Sequence, residues 1–201
     1  MVETIISDLG NVLVRFDNGI FFRKAAAVSP LSVEEIEAAV RHHIDLPRDF
    51  ECGRVSPREF FLRAEGILRT GLDQAAFFRI YNDIFQARPR EIRLLRRLRG
   101  RRRLILLSNT DSMRYGFIRS RFPETRFFDA YVLSYEAGRT KPDRRIFEIA
   151  LETAAAPPRA CLFIDDLEDN TRVASELGMS VIHLPLEADL ETELRRFDLA
   201  D

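Results

Sequence analysis

Four short segments hold the residues equipped for chemistry: Asp8-Leu9-Gly10-Asn11-Val12, Leu107-Ser108-Asn109-Thr110, Arg139-Thr140-Lys141-Pro142-Asp143, and Phe163-Ile164-Asp165-Asp166 with Asn170 just beyond. Together they bring three carboxylates, a hydroxyl and an ammonium. Carboxylates gathered in one crevice repel each other unless a cation joins them, and hard oxygen ligands suit Mg²⁺. A hydroxyl and a lysine beside such a metal suit a phosphoryl group, whose transfer depends mainly on positioning and charge neutralisation. A carboxylate can also be the nucleophile that takes the group. Lysine is scarce: of 31 basic residues only Lys24 and Lys141 are lysine, and one of the two falls in these segments.

The elements that must position these groups are legible around them. Residues 4–6, 104–107 and 160–164 are apolar throughout, as strands of a parallel sheet covered on both faces are. Each run leads into a polar end: Asp8, Ser108, and the pair Asp165 and Asp166. In open α/β sheets ligands bind outside the carboxyl ends of the strands, so these ends are expected to meet in one crevice. Residues 131–133 and 180–184 are expected as a fourth and a fifth strand. Helical patterns over 143–155 and 169–177 alternate with them, the second followed by Gly178. That alternation is the βαβ signature.

Ser108 to Lys141 is 33 residues and Lys141 to Asp165 is 24, each near one crossover, since a βαβ unit takes roughly 30 residues. Asp8 to Ser108 is 100, so a surplus of about 70 residues lies there by the same allowance. The surplus reads as helices. Ser32 with Glu35 and Ser56-Pro57 with Glu59 look like capping boxes, and Asp73 can cap a further helix. Phe60, Phe61, Ala64, Ile67 and Leu68 form one apolar stripe; Phe77, Phe78, Tyr81, Ile84 and Phe85 form another. The expected architecture is α/β: a Rossmann-like parallel-sheet core over 1–17 and 88–201, with a helical-bundle cap inserted over 18–87.

The order and spacing of the four segments resembles the haloacid-dehalogenase-like (HAD) hydrolase superfamily, and the resemblance spans essentially the whole chain. In detail it is similar to the branch that contains bacterial α-glucose-1-phosphatase and the phosphatase domain of soluble epoxide hydrolase. The resemblance implies a Mg²⁺-dependent phosphatase working on a small phosphorylated metabolite, such as a sugar phosphate. Asp8 would be the nucleophile that becomes an aspartyl-phosphate and also a metal ligand. Ser108, Asn109 and Lys141 would hold the phosphoryl group, with Lys141 also orienting Asp8. Asp165 and Asp166 would hold Mg²⁺, together with the backbone carbonyl of Gly10. Gly10 departs from the superfamily's commonest pattern, in which an aspartate there serves as general acid and base. That departure keeps a non-catalytic phosphate- or protein-binding relative open as an alternative and makes Asp17 a weak substitute acid; a phosphomutase is the other alternative, although its chemistry leans on a retained acid/base group. The opening that marks the true haloacid dehalogenases is absent.

Composition narrows the rest. Hydrophobic residues at 46% and charged ones at 31% exclude a disordered or collagen-like chain. A formal net charge of -1 argues against a dedicated nucleic-acid binder. Residues 88–103 carry nine arginines in 16 positions, but Ile92, Leu94, Leu95 and Leu98 stand near helical spacing, so the arginines read as a solvated helix face. The acidic residues 187–201 offset that charge. Two cysteines, Cys52 and Cys161, fit a reducing compartment better than a disulfide framework. Glu3 and Asp8 interrupt what a signal peptide would need, and no run reaches membrane-span length, so a cytoplasmic protein without membrane association is expected, as monomer or homodimer. Adjacent His42 and His43 point in different directions on a helix and read as surface or packing residues. Arg15, Asp17, Arg41 and Arg48 near the cap boundary are substrate-recognition candidates. Cys52-Gly53 reads as a turn within the cap, and Asn170 as a support of the acidic loop.

Overall fold

The apolar runs become the centre of one sheet. A computed structural model describes residues 1–200, with strands β1 (Thr4–Ser7), β2 (Val14–Phe16), β3 (Phe85–Ala87), β4 (Arg103–Ser108), β5 (Ala130–Leu133), β6 (Cys161–Asp165) and β7 (Ser180–His183). Five of them form a sheet in the order β5-β4-β1-β6-β7, every pairing parallel. The helices are α1 (Asn18–Ala26), α2 (Val33–His42), α3 (Asp45–Glu51), α4 (Pro57–Leu68), α5 (Gln74–Asn82), α6 (Pro89–Arg96), α7 (Ser112–Arg121), α8 (Ser134–Ala137), α9 (Arg144–Ala154), α10 (Glu168–Glu176) and α11 (Leu190–Arg195).

Alternate residues of the apolar runs serve opposite faces, as the two-residue period of a strand requires. Ile5, Leu104, Leu106, Leu162 and Ile164 enter one core with Ile92 and Leu95 of α6 and Leu190 and Leu194 of α11. Ile6, Ile105, Leu107, Cys161 and Phe163 enter the other with Ile146, Phe147 and Ala150 of α9. The arginine-rich stretch behaves accordingly: Ile92, Leu95 and Leu98 are buried, most arginines are exposed, and Arg90 pairs with Asp189 and Glu191 of the acidic C-terminal region. Cys52 and Cys161 are free and buried.

Helices α1 to α5 close around a third core, rich in aromatic rings, that includes Phe21, Phe50, Phe60, Phe77, Phe78 and Tyr81. Phe50 and Phe60 stack at 4.2 Å between centroids. The start signals act as read at Ser32, whose capping box is complete, and at Asp73, which accepts from the Ala76 amide. At Ser56 the box is half formed: its side chain accepts from the Glu59 amide, but the reciprocal bond is not made. Phe85 departs from expectation. Helix α5 stops at Asn82, and residues 85–87 pair antiparallel with Val14–Phe16 in a two-stranded ribbon at the base of the helices. Gly53 has φ +66°, and a Cβ there would overlap the carbonyl oxygen of Tyr135 in α8. Only glycine lets the end of α3 lie this close to the core.

Candidate active site

β1 is the middle strand, and its register sets Ser7 level with Leu106 on one side and Ile164 on the other. Asp8 therefore emerges between the ends of β4 and β6. Lys141, in the loop between α8 and α9, reaches this point from beside the sheet. Its Nζ lies 2.8 Å from Asp8 Oδ1 and 2.7 Å from Asp165 Oδ2. The lysine side chain is 1% exposed and Asp165 is fully buried, whereas Asp8 keeps 11% exposure, so Asp8 is the carboxylate that an incoming molecule can touch. One carboxylate oxygen from each of Asp8, Asp165 and Asp166 lies within 4.8 Å of the others.

The surrounding loops hold these groups in place. Asp8 Oδ1 accepts from the Leu9 amide at 2.7 Å. Asp165 Oδ1 accepts from the Leu167 amide and from Asn170 Nδ2, both at 2.9 Å, so Asn170 supports the acidic loop. Asn11 Nδ2 donates to Asp166 Oδ2 at 2.8 Å from a backbone with φ +53°, a conformation asparagine tolerates better than most residues. Arg88 donates to the Asn11 carbonyl oxygen and pairs with Glu91 at 2.9 Å. Asn109 spends both ends of its carboxamide on Lys141: Oδ1 accepts from the lysine amide at 2.7 Å and Nδ2 donates to its carbonyl at 2.9 Å. Its side chain thus fixes the lysine. Ser108, at the end of β4, lines the cavity above Asp8.

Electrostatics marks the cluster as overcharged. Burial pushes the Asp8 carboxyl up to about 7, with Lys141 opposing the rise and Asp165 adding to it. Burial also raises Asp166, against the Asn11 hydrogen bond and with the Asp165 charge. Burial works against charge on Lys141, yet the Asp8 and Asp165 carboxylates outweigh it and hold the ammonium above its ordinary value. Three carboxylates share one ammonium, and the excess negative charge together with an all-oxygen donor set fits a hard divalent cation. The Gly10 carbonyl accepts from the Val12 amide at 2.6 Å, which leaves it a second lone pair.

The cavity over these groups has a volume of about 320 Å³ and is also lined by Gly10, Phe16, Asn18, Glu51 and Arg114. A second cavity of about 240 Å³ lies among Phe21, Phe22, Phe60, Phe77 and Tyr81 of helices α1, α4 and α5. Asn18, Glu51 and Arg114 line both, so they form the partition between the two spaces. Arg114 Nη2 donates to Asn18 Oδ1 at 3.1 Å, its Cζ sits 4.2 Å over the Tyr81 ring, and its Nε is 3.8 Å from Asp111 Oδ2. Asp111 caps α7 by accepting from the Met113 and Arg114 amides, and accepts from Tyr81 Oη at 3.0 Å. The hydroxyl of a residue in α5 is thereby tied to the N-cap of α7.

The profile of one protein family, described as haloacid dehalogenase-like hydrolase, matches residues 2–178. The chain belongs to this family. It is similar to a D-ribitol-5-phosphate phosphatase from Bacteroides thetaiotaomicron, with 25% identity over an alignment of 209 residues that covers 96% of this chain and 97% of that protein. Among solved structures it is similar to a HAD family enzyme from the same bacterium, with a TM-score of 0.88, 26% identity, and coverage of 96% of this chain and 98% of that one. A crystal structure of that enzyme in complex with magnesium and inorganic phosphate shares the fold at a TM-score of 0.87, with 24% identity over 97% of this chain and 100% of that one.

For this HAD-family chain the structure gathers Asp8, Gly10, Ser108, Asn109, Lys141 and Asp166 around one cavity, with Asp165 directly beneath Lys141. The recognition candidates separate. Arg48 and His43 line the cap cavity, Arg41 pairs with Glu37 on the surface, and His42 is exposed. Asp17 does not reach the site. It caps α1 by accepting from the Gly19 amide at 2.8 Å, pairs with Arg23 at 3.3 Å, and with Arg15 lines a different cavity. Sequence reasoning missed Asn11, Glu51, Asp111 and Arg114. Asn11 stood inside a quoted segment, but nothing in the sequence set the other three apart from solvated charges. No described helix is long and apolar enough to cross a membrane.

Proposed function

We propose that this protein is a Mg²⁺-dependent phosphatase that hydrolyses the phosphate monoester of a small metabolite, such as a sugar or sugar-alcohol phosphate, through an aspartyl-phosphate on Asp8. The observation that carries the reading is the placement of Lys141 Nζ, 2.8 Å from Asp8 and 2.7 Å from Asp165, beneath a cavity edged by Ser108. Asp8, Asp165, Asp166 and the Gly10 carbonyl would hold the metal. When bound, Mg²⁺ supplies charge neutralisation for the carboxylates and the phosphoryl oxygens. Asp8, aligned by Lys141 and the Leu9 amide, attacks phosphorus. Ser108 donates to a phosphoryl oxygen and Lys141 neutralises the charge there, while Asn109 keeps the lysine in register. Residues 18–87 act as the cap that shields this step from bulk water, over a core of 1–17 and 88–201. The similarity to a D-ribitol-5-phosphate phosphatase supports the polyol or sugar phosphate class. Two free cysteines suit action in the cytoplasm.

The test is release of inorganic phosphate from an aryl phosphate and from a panel of sugar and polyol phosphates, with and without Mg²⁺. Mg²⁺-dependent phosphate release is expected. An isomerised ester without free phosphate would identify a phosphomutase. Binding of phosphate esters without turnover would identify a non-catalytic relative.

A further inference from the structure

In an in-line displacement on phosphorus the attacking and leaving oxygens lie on opposite sides, so a group attacked by Asp8 departs away from the sheet and toward the cap. The leaving oxygen of an ordinary alcohol needs a proton as it departs, and position 10 has none to give. A Cβ on Gly10 would stand 3.1 Å from Phe16 Cε1, so the Phe16 ring lies closely over this position. Besides Asp8 and Asp166, one carboxyl lines the catalytic cavity, and it is Glu51, the last residue of α3.

We propose that Glu51 is the general acid for the leaving group, donating its proton from the cap side at the partition between the two cavities. This rests on the phosphatase reading above. Three features support it. Glu51 borders both cavities, so it stands on the side of the catalytic cavity that faces α1–α5, where the leaving group of an ester with its phosphate over Asp8 departs. The overlap of any Cβ on Gly53 with the Tyr135 carbonyl shows how closely the end of α3 is pinned to the core, two residues from Glu51. The cation whose charge acts on it, Arg114, is engaged with other groups: it faces Asp111, Asn18 and the Tyr81 ring. The Glu51 carboxyl makes no hydrogen bond or ion pair among the described residues. Burial consequently raises its carboxyl above the usual range, with Arg114 opposing and the Asp111 charge adding. His43 and Arg48 on the cap side, and Asp8, Lys141 and Asp166 on the sheet side, complete the charged and titratable groups that line the two cavities.

The step balances as follows. The Asp8 carboxylate forms an O–P bond while the P–O bond to the leaving oxygen breaks, and that oxygen takes the Glu51 proton, giving a free alcohol and a Glu51 carboxylate. Water then attacks the phosphorus of the aspartyl-phosphate, its O–P bond forming as the Asp8 O–P bond breaks. One water proton returns to Glu51 and the other stays on the departing phosphate.

Glu51→Gln tests this, because glutamine has the shape of the protonated carboxyl and no proton to transfer. Single-turnover formation of the aspartyl-phosphate is measured with Mg²⁺ on a series from p-nitrophenyl phosphate to simple alkyl phosphates. The expected loss is about 10²-fold or more on alkyl esters, the usual scale of general acid catalysis, and much smaller on the nitrophenyl ester, whose leaving group needs little help. The parent's fall in kcat/KM at high pH, as Glu51 deprotonates, should vanish in the variant, and Glu51→Asp should recover part of the alkyl rate. Equal losses along the series, or none on alkyl esters, would overturn the role of Glu51 while leaving the phosphatase reading intact. A folded parent that releases phosphate from no ester would overturn both.

Discussion

Two buried charged clusters sit within this molecule, and they are balanced in opposite ways. Between α5 and α7, Asp111 accepts from two backbone amides and the Tyr81 hydroxyl, with the Arg114 guanidinium 3.8 Å away. At the strand ends, Asp8, Asp165 and Asp166 face the single ammonium of Lys141. Removing a charge from water costs several kcal/mol unless partners replace the water. The first cluster takes its partners from the fold and ties helix α7 to helix α5, although burial still raises the Asp111 carboxyl against Arg114 and those hydrogen bonds. The second carries negative charge beyond what the protein supplies in return, which is the expected mark of a site completed by a cation and a substrate.

The contrast yields a graded series of outcomes. The largest is expected for Asp8→Asn, which keeps the shape and removes the nucleophile: phosphate release should fall by about 10⁴-fold or more, with circular dichroism unchanged. Asp165→Asn and Asp166→Asn each remove one charge from the cluster. Both should raise the Mg²⁺ concentration needed for half-maximal rate, at least one of them severely, and Mg²⁺ should lose its ability to raise the melting temperature. Parental Mg²⁺ saturation in both would place the metal elsewhere. Next comes Lys141→Arg. A planar fork does not fit between Oδ1 of Asp8 and Oδ2 of Asp165 in a space filled by one ammonium. A loss of at least tenfold in kcat/KM is expected, equivalent to about 1.4 kcal/mol, and parental kinetics would mean that charge alone matters there.

How much of this was legible in the sequence follows from the physics of each part. The strands at β1, β4 and β6 were readable because a parallel strand covered on both faces needs no polar alternation, and Asp8, Ser108 and the Asp165–Asp166 pair stood out as the polar ends of such runs. The ribbon of Val14–Phe16 with Phe85–Ala87 was not readable. Three residues carry no period, and Phe85 continued the helical stripe of α5 until the chain turned at Asp83. Glu51 and Arg114 lie in helices amid many similar charges, and Arg114 is one of 29 arginines. Their distinction is spatial: 63 residues apart in the chain, they line the same two cavities. The family resemblance assigns Asn109 to the phosphoryl group, and only the fold reveals that its carboxamide is occupied by the backbone of Lys141.

The smallest expected effect belongs to the balanced cluster. Tyr81→Phe deletes the 3.0 Å bond to Asp111 and leaves a buried carboxylate oxygen with one partner fewer. The variant should lose about 1–3 kcal/mol of stability, read by urea denaturation, with the Mg²⁺ requirement unaltered. A shift in Mg²⁺ dependence comparable to that of Asp165→Asn would erase the distinction between the two clusters.

The most direct measurement is capture of the covalent intermediate. The protein is mixed with Mg²⁺ and a phosphate ester carrying a labelled phosphoryl group, quenched in acid within one turnover, reduced with borohydride and digested. Borohydride reduces an acyl phosphate to an alcohol, so the account predicts that residue 8 is recovered as homoserine, that label in the unreduced control resides on the same peptide, and that Asp8→Asn gives neither. Turnover with the label on Ser108, or with no labelled peptide at a time when product is forming, would contradict it.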